Sequence, residues 1–139
     1  MPGGEAELVD GLAVPPAGAP PEIVGIINAA NEIAKGKSYC YGGGHQQFKS
    51  RCYDCSGAAS YALRGGGLVK SPMPSSGYYR WGERGKGEWL TVYTQSGHMY
   101  IVVAGLRFDT SMTAGDGPGW SKVLRTNNGT FEKRHWPGL

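Results

Sequence analysis

The 139-residue sequence contains no apolar run approaching the roughly 20 residues that a membrane-spanning helix needs, so no helical span is expected. It also lacks the basic start and long apolar stretch of a secretory signal: none is visible between Met1 and Pro21. Charge is scarce. Charged residues make up 18% of the chain, and the 14 Lys and Arg only slightly outnumber the 11 Asp and Glu, for a net charge of +3. That excess is too small to argue for a nucleic-acid partner, although it suits a polyanionic surface. Cysteine is scarce too: there are 3, and an odd number leaves at least one thiol free in a monomer, the expected state. No internal repeat is present, and the glycines follow no G-x-y period, which excludes collagen.

What the chain does have is glycine, 24 residues of it, in separate clusters alongside 9 prolines. With 40% hydrophobic residues the chain is too apolar for a disordered tail, so the glycines read as turns and close backbone approaches in one compact domain. Residues 1–21 carry five prolines among Gly and Ala and read as an extended leader, with the domain proper spanning 22–139. From Glu22 to Lys35, Ile23, Ile26, Ile27, Ala30 and Ile33 recur at helical spacing, with Gly36 as the stop. A second helix is expected to start near Asp54 and to end at Gly65-Gly66-Gly67. The period then changes to that of strands: Trp89–Tyr93, His98–Val103 and Leu106–Ser111, the last two joined by an Ala104-Gly105 turn. Helices first and strands afterwards predict an α+β domain with an antiparallel sheet.

The sharpest local signal is Tyr53-Asp54-Cys55-Ser56-Gly57. A cysteine in the first turn of a helix feels the partial positive charge of unpaired N–H groups, which favours the nucleophilic thiolate. The same N–H groups can hold the oxyanion formed when that thiolate attacks a carbonyl. Of the three histidines, His98 is the best placed to serve as base, because it opens the central strand; His45 and His135 are the alternatives. The hairpin register can be worked out from pattern alone. A two-residue turn at Ala104-Gly105 pairs Val103 with Leu106 and Ile101 with Phe108. It gathers Met99, Ile101, Val103, Leu106 and Phe108 on one face, and a slip of one residue would destroy that separation. His98, Tyr100, Arg107 and Asp109 share the other face, with Asp109 diagonal to His98 and able to orient its ring. Ser111 is the fallback for that role.

Tyr39-Cys40-Tyr41-Gly42-Gly43, then Asp54-Cys55-Ser56-Gly57, then Gly97-His98-Met99-Tyr100-Ile101-Val102-Val103 resemble, in this order, the NlpC/P60 family of cell-wall cysteine peptidases. The resemblance runs from about Ile23 to Ser111. It implies a papain-like α+β fold, with N-terminal helices packed on an antiparallel sheet and the cysteine at a helix N-terminus. It implies hydrolysis of peptide bonds in the stem peptides of bacterial peptidoglycan, often between D-γ-glutamate and the following diamino acid. Carried over by position, Cys55 is the nucleophile, His98 the general base and Asp109 the polar third residue. Tyr39 lines the site and helps the oxyanion hole, while Asp54 and Ser56 lie near the stem-peptide subsites. No cofactor is implied. The location implied is extracellular or in the cell wall, reached by secretion or phage delivery. The family's usual Pro-Gly-Asp-Leu segment ahead of the histidine strand is replaced here by Gly85-Lys86-Gly87-Glu88-Trp89-Leu90, which bears on substrate preference.

The remaining cysteines leave alternatives open. Cys40, His45, Cys52 and Cys55 could form a Cys₃His zinc site, making a non-catalytic wall-binding module. Cys40 and Cys52 could instead form a disulfide that leaves Cys55 free, as suits a protein working outside a cell, or all three thiols could stay reduced. A papain-like amidase or acyltransferase would share the same three site residues and differ only in its acceptor and pocket.

Overall fold

The structure is a computed structural model, which describes residues 4–34, 36–110, 117–125 and 130–139. Two short strands, β1 (Glu7–Val9) and β2 (Leu12–Val14), precede helix α1 (Pro21–Ile33). A pair of two-residue strands, β3 (Ser38–Tyr39) and β4 (Cys52–Tyr53), leads into helix α2 (Cys55–Gly65) and a 3₁₀ helix (Ser75–Arg80). Then follow β5 (Glu83–Arg84), β6 (Leu90–Gln95), β7 (His98–Val103), β8 (Leu106–Asp109), β9 (Gly119–Ser121) and β10 (Glu132–His135). These six strands form one antiparallel sheet in the order β5-β10-β6-β7-β8-β9. The α+β expectation is met.

The β7–β8 register agrees with the pattern: Val103 pairs with Leu106 and Ile101 with Phe108 across a turn in which Ala104 and Gly105 both have positive φ, 47° and 84°. Met99, Ile101, Val103, Leu106 and Phe108 are all buried on the face that meets the helices. Helix α1 contributes Ile23, Ile26, Ile27, Ala30 and Ile33 to the same core. The two helices cross closely enough that a Cβ on Gly25 would sit 2.2 Å from the carbonyl oxygen of Gly65, so only glycine permits the crossing. The opposite face of the sheet carries a smaller cluster of Tyr93, Tyr100 and Phe131, with Tyr93 and Tyr100 stacked at 4.8 Å.

The N-terminal segment differs from the extended leader expected of 1–21. Within its described part, β1 and β2 form an antiparallel hairpin turning at Asp10-Gly11, where φ is 52° and 81°. Asp-Gly is a strong signal for such a turn, because both central residues must adopt positive φ; the proline content masked it. The hairpin is tied down at both sides. Ala6 donates its N–H to the Ala104 carbonyl at 2.8 Å, and the Asn31 side chain bonds both the N–H (3.0 Å) and the carbonyl (2.8 Å) of Ala13. Ala6 and Ala13 belong to the core. Strands β5, β9 and β10 were not expected. Two are very short, and Glu132-Lys133-Arg134-His135 has no apolar alternation to announce it.

Candidate active site

Cys55 is the first residue of α2, and Asp54 is its N-cap, accepting a 2.8 Å hydrogen bond from the Gly57 N–H. The other Asp54 oxygen accepts from the Gly42 N–H at 3.1 Å, while the Asp54 N–H donates to the Gly43 carbonyl at 3.2 Å. One carboxylate thus caps the helix and fastens the glycine-rich loop onto it. The approach is so close that a Cβ on Gly57 would lie 2.0 Å from the Gly43 oxygen. A disulfide between Cys40 and Cys52, with Cα atoms 5.5 Å apart, locks the parallel pairing of β3 with β4 and leaves Cys55 as the free thiol. Two of the four proposed zinc ligands are therefore spent in a covalent bridge. This overturns the Cys40/His45/Cys52/Cys55 metal site, since thiolates are needed to hold zinc.

His98 stands at the start of β7 and interacts with the Cys55 side chain. Its Nε2 donates to Asp109 Oδ1 at 3.0 Å, and the Asp109 side chain is fully buried. With Nε2 so engaged, Nδ1 is the nitrogen left for the sulfur. Burial disfavours the charged imidazolium, but hydrogen bonds and charge from Asp109 and Cys55 outweigh it and push the His98 pKa up to about 9. Ser111, the fallback partner of His98, lies outside the described residues.

Tyr39, Tyr41, His45, Asp54, Cys55 and Ser56 line a cleft of about 240 Å³ that reaches Gly97, next to His98. Burial, and then the nearby Cys55 and Asp54 charges, raise the Tyr39 pKa above its usual 10, so its hydroxyl keeps its proton and remains a donor. His45 is not paired with Asp109. Its Nε2 lies 2.8 Å from both Asp54 Oδ1 and Ser56 Oγ. Sequence reasoning set His45 aside as a weaker base and missed this bracing role, which only the loop's path over α2 creates. Asp54 and Ser56 line the cleft, and much of their hydrogen-bonding capacity is turned to His45, Gly42 and Gly57. His135 lies on β10, bonded through Nδ1 to the Gly85 carbonyl at 3.0 Å. Trp81 and Trp89 pack in and against the core, and the exposed aromatics at the cleft are Tyr39 and Tyr41. A larger cavity of about 530 Å³, between β1 and the β7–β8 turn, contains none of the cleft side chains.

Sheet and helices together define an α+β protein with a thiol and an imidazole brought together from a helix start and a strand end. More narrowly, the fold is that of the P60 domain. The P60 domain of antigen MAP1204 from M. avium subspecies paratuberculosis superposes with a TM-score of 0.55 at 20% identity, over 81% of this chain and 93% of that one. Rv1477, a hypothetical invasion protein of Mycobacterium tuberculosis, superposes at 0.59 and 20% identity, over 96% of this chain and 69% of that one. The sequence matches no family model and no curated protein.

Proposed function

We propose that the protein is a cysteine endopeptidase that hydrolyses peptide bonds in the stem peptides of bacterial peptidoglycan, the D-γ-glutamyl–diamino acid bond foremost. The observation that carries this reading is the His98–Asp109 pair on β7 and β8 together with the free Cys55 at the start of α2, whose charge acts on the His98 ring, on a fold shared with P60 domains. In this mechanism the Cys55 thiolate attacks the amide carbonyl, and the helix N-terminal N–H groups, with the Tyr39 hydroxyl, stabilise the tetrahedral oxyanion. His98 gives its Nδ1 proton to the leaving amine, and the acyl group remains on sulfur as a thioester. His98, now neutral, takes a proton from water, which cleaves the thioester and regenerates the thiolate–imidazolium pair. Asp109 holds the ring throughout.

A disulfide beside the site fits work outside a reducing cytosol, at the cell wall or in the extracellular space. The test is digestion of purified sacculi, with released fragments identified by mass. Wild-type protein is expected to release fragments with newly freed γ-glutamyl carboxyl ends. Cys55→Ala should release none while keeping the wild-type melting temperature. Equal release by Cys55→Ala would remove the nucleophile assignment, and no release by the wild type would point to another acyl substrate.

A further inference from the structure

Arg125, in the segment after β9, was singled out by no sequence motif. It reaches the site by a route that only the fold supplies. Its Nε donates to Asp109 Oδ2 at 3.1 Å, and its Nη2 lies 3.1 Å from His98 Nε2. The guanidinium stands over the rings of Tyr100 (5.2 Å) and Phe131 (5.9 Å), which fix its plane. Among the described residues, His98 from β7, Arg107 from its own strand with Nε 3.6 Å from Oδ2, and Arg125 face the Asp109 carboxylate. Around the His98 ring are Asp109, Arg125, Cys55 and the rings of Tyr100 and Phe131.

We propose that Arg125 is a positioning residue for His98: it pins Asp109 Oδ2 so that Oδ1 faces the ring, and its charge sets where the imidazolium yields its proton. His98 Nε2 cannot serve both neighbours at once. As an N–H, Nε2 donates to Asp109; as a bare lone pair, it can only accept from Arg125 Nη2. In catalysis Nε2 keeps its proton on Asp109 while Nδ1 loses and regains one, and the guanidinium beside Nε2 opposes the imidazolium charge. Arg107 keeps a second cation beside Asp109, so replacing Arg125 does not leave the buried carboxylate without a counter-charge.

The use of this device in catalysis rests on the proposed peptidase reading, but its test reads the ring directly. The His98 titration would be followed by NMR on the full chain with labelled histidine, in wild type, Arg125→Gln and Arg125→Lys. Glutamine can still donate to Oδ2 without the charge, and the His98 midpoint is expected to rise by about one pH unit. Lysine keeps the charge and should leave the midpoint near the wild-type value. The pH profile of Cys55 alkylation by iodoacetamide should shift in parallel. A midpoint that stays put or falls in Arg125→Gln overturns the proposal, and Arg125→Met gives the same reading if the glutamine variant folds poorly. A shifted midpoint without digestion of sacculi would uphold the Arg125 role and sink the peptidase reading. Digestion with an unmoved midpoint would do the reverse.

Discussion

Removing the Cys40–Cys52 bridge, through a Cys40→Ser/Cys52→Ser double substitution, tests how the wall of the cleft is held. The bridge closes a segment whose ends are 12 residues apart. Chain-entropy arithmetic for a loop of that length gives about 3 kcal/mol of stabilisation through the unfolded state. For a domain of this size that corresponds to a fall in melting temperature of roughly 10 °C. The native-state effect is local: β3 and β4 share only two residue pairs, Ser38 with Cys52 and Tyr39 with Tyr53, too few to persist unaided. Tyr39 lies just before the bridge, and Tyr41 and His45 lie inside the bridged segment, so the side of the cleft facing Cys55 should loosen. Melting by circular dichroism and steady-state cleavage of a stem-peptide substrate would be measured on the double variant without added reductant. The expected outcome is the lower melting temperature together with a KM raised several-fold. A melting temperature within 2–3 °C of wild type and an unchanged KM would refute the reasoning, since a bridge of this span is expected to contribute several times that.

The remaining expectations concern the buried polar groups. Because folding raises the His98 pKa from 6.5 to about 9, the folded state holds that proton more tightly than the unfolded chain. The associated stability is fully present below pH 6.5 and is lost as pH rises through about 9. Allowing for solvent screening at the partly exposed ring, the melting curve should lose about 1–2 kcal/mol across that window, and His98→Gln should flatten it. Asp109→Asn should reduce kcat by about 10–100-fold, less than loss of Cys55, and bring the His98 midpoint back toward its ordinary value in an NMR titration. Asn31 Oδ1 also accepts from Trp120 Nε1 at 2.8 Å, so Asn31→Ala unpairs both polar groups of Ala13 and the indole at once. A loss of about 2–4 kcal/mol in denaturant titration is expected, and a loss below about 0.5 kcal/mol would refute the accounting.

How much of this could be read in the sequence follows from the kind of signal each part leaves. The β7–β8 hairpin was legible because two faces of opposite polarity admit one register, and that register also carried His98 to Asp109. Helix α2 was legible from its cap, Asp54, and its small residues. Arg125 was not, since it reaches Asp109 from 16 residues away along a segment without periodicity, and nothing local marks such a contact. The fate of the cysteines was also undecided: a disulfide and a metal site ask for the same residue type, and only the 5.5 Å approach of the two backbones separates them.

The hairpin at residues 7–14 alters where the protein can be cut or joined. Its Ala13 and the preceding Ala6 belong to the core, and the backbone groups of these two residues pair with Asn31 and Ala104. An expression boundary drawn at residue 22, the natural choice from the proline pattern, would slice away part of the interior, Ala6 and Ala13 with it. Fusion partners and purification tags are better attached ahead of Gly4, where they leave this underside intact.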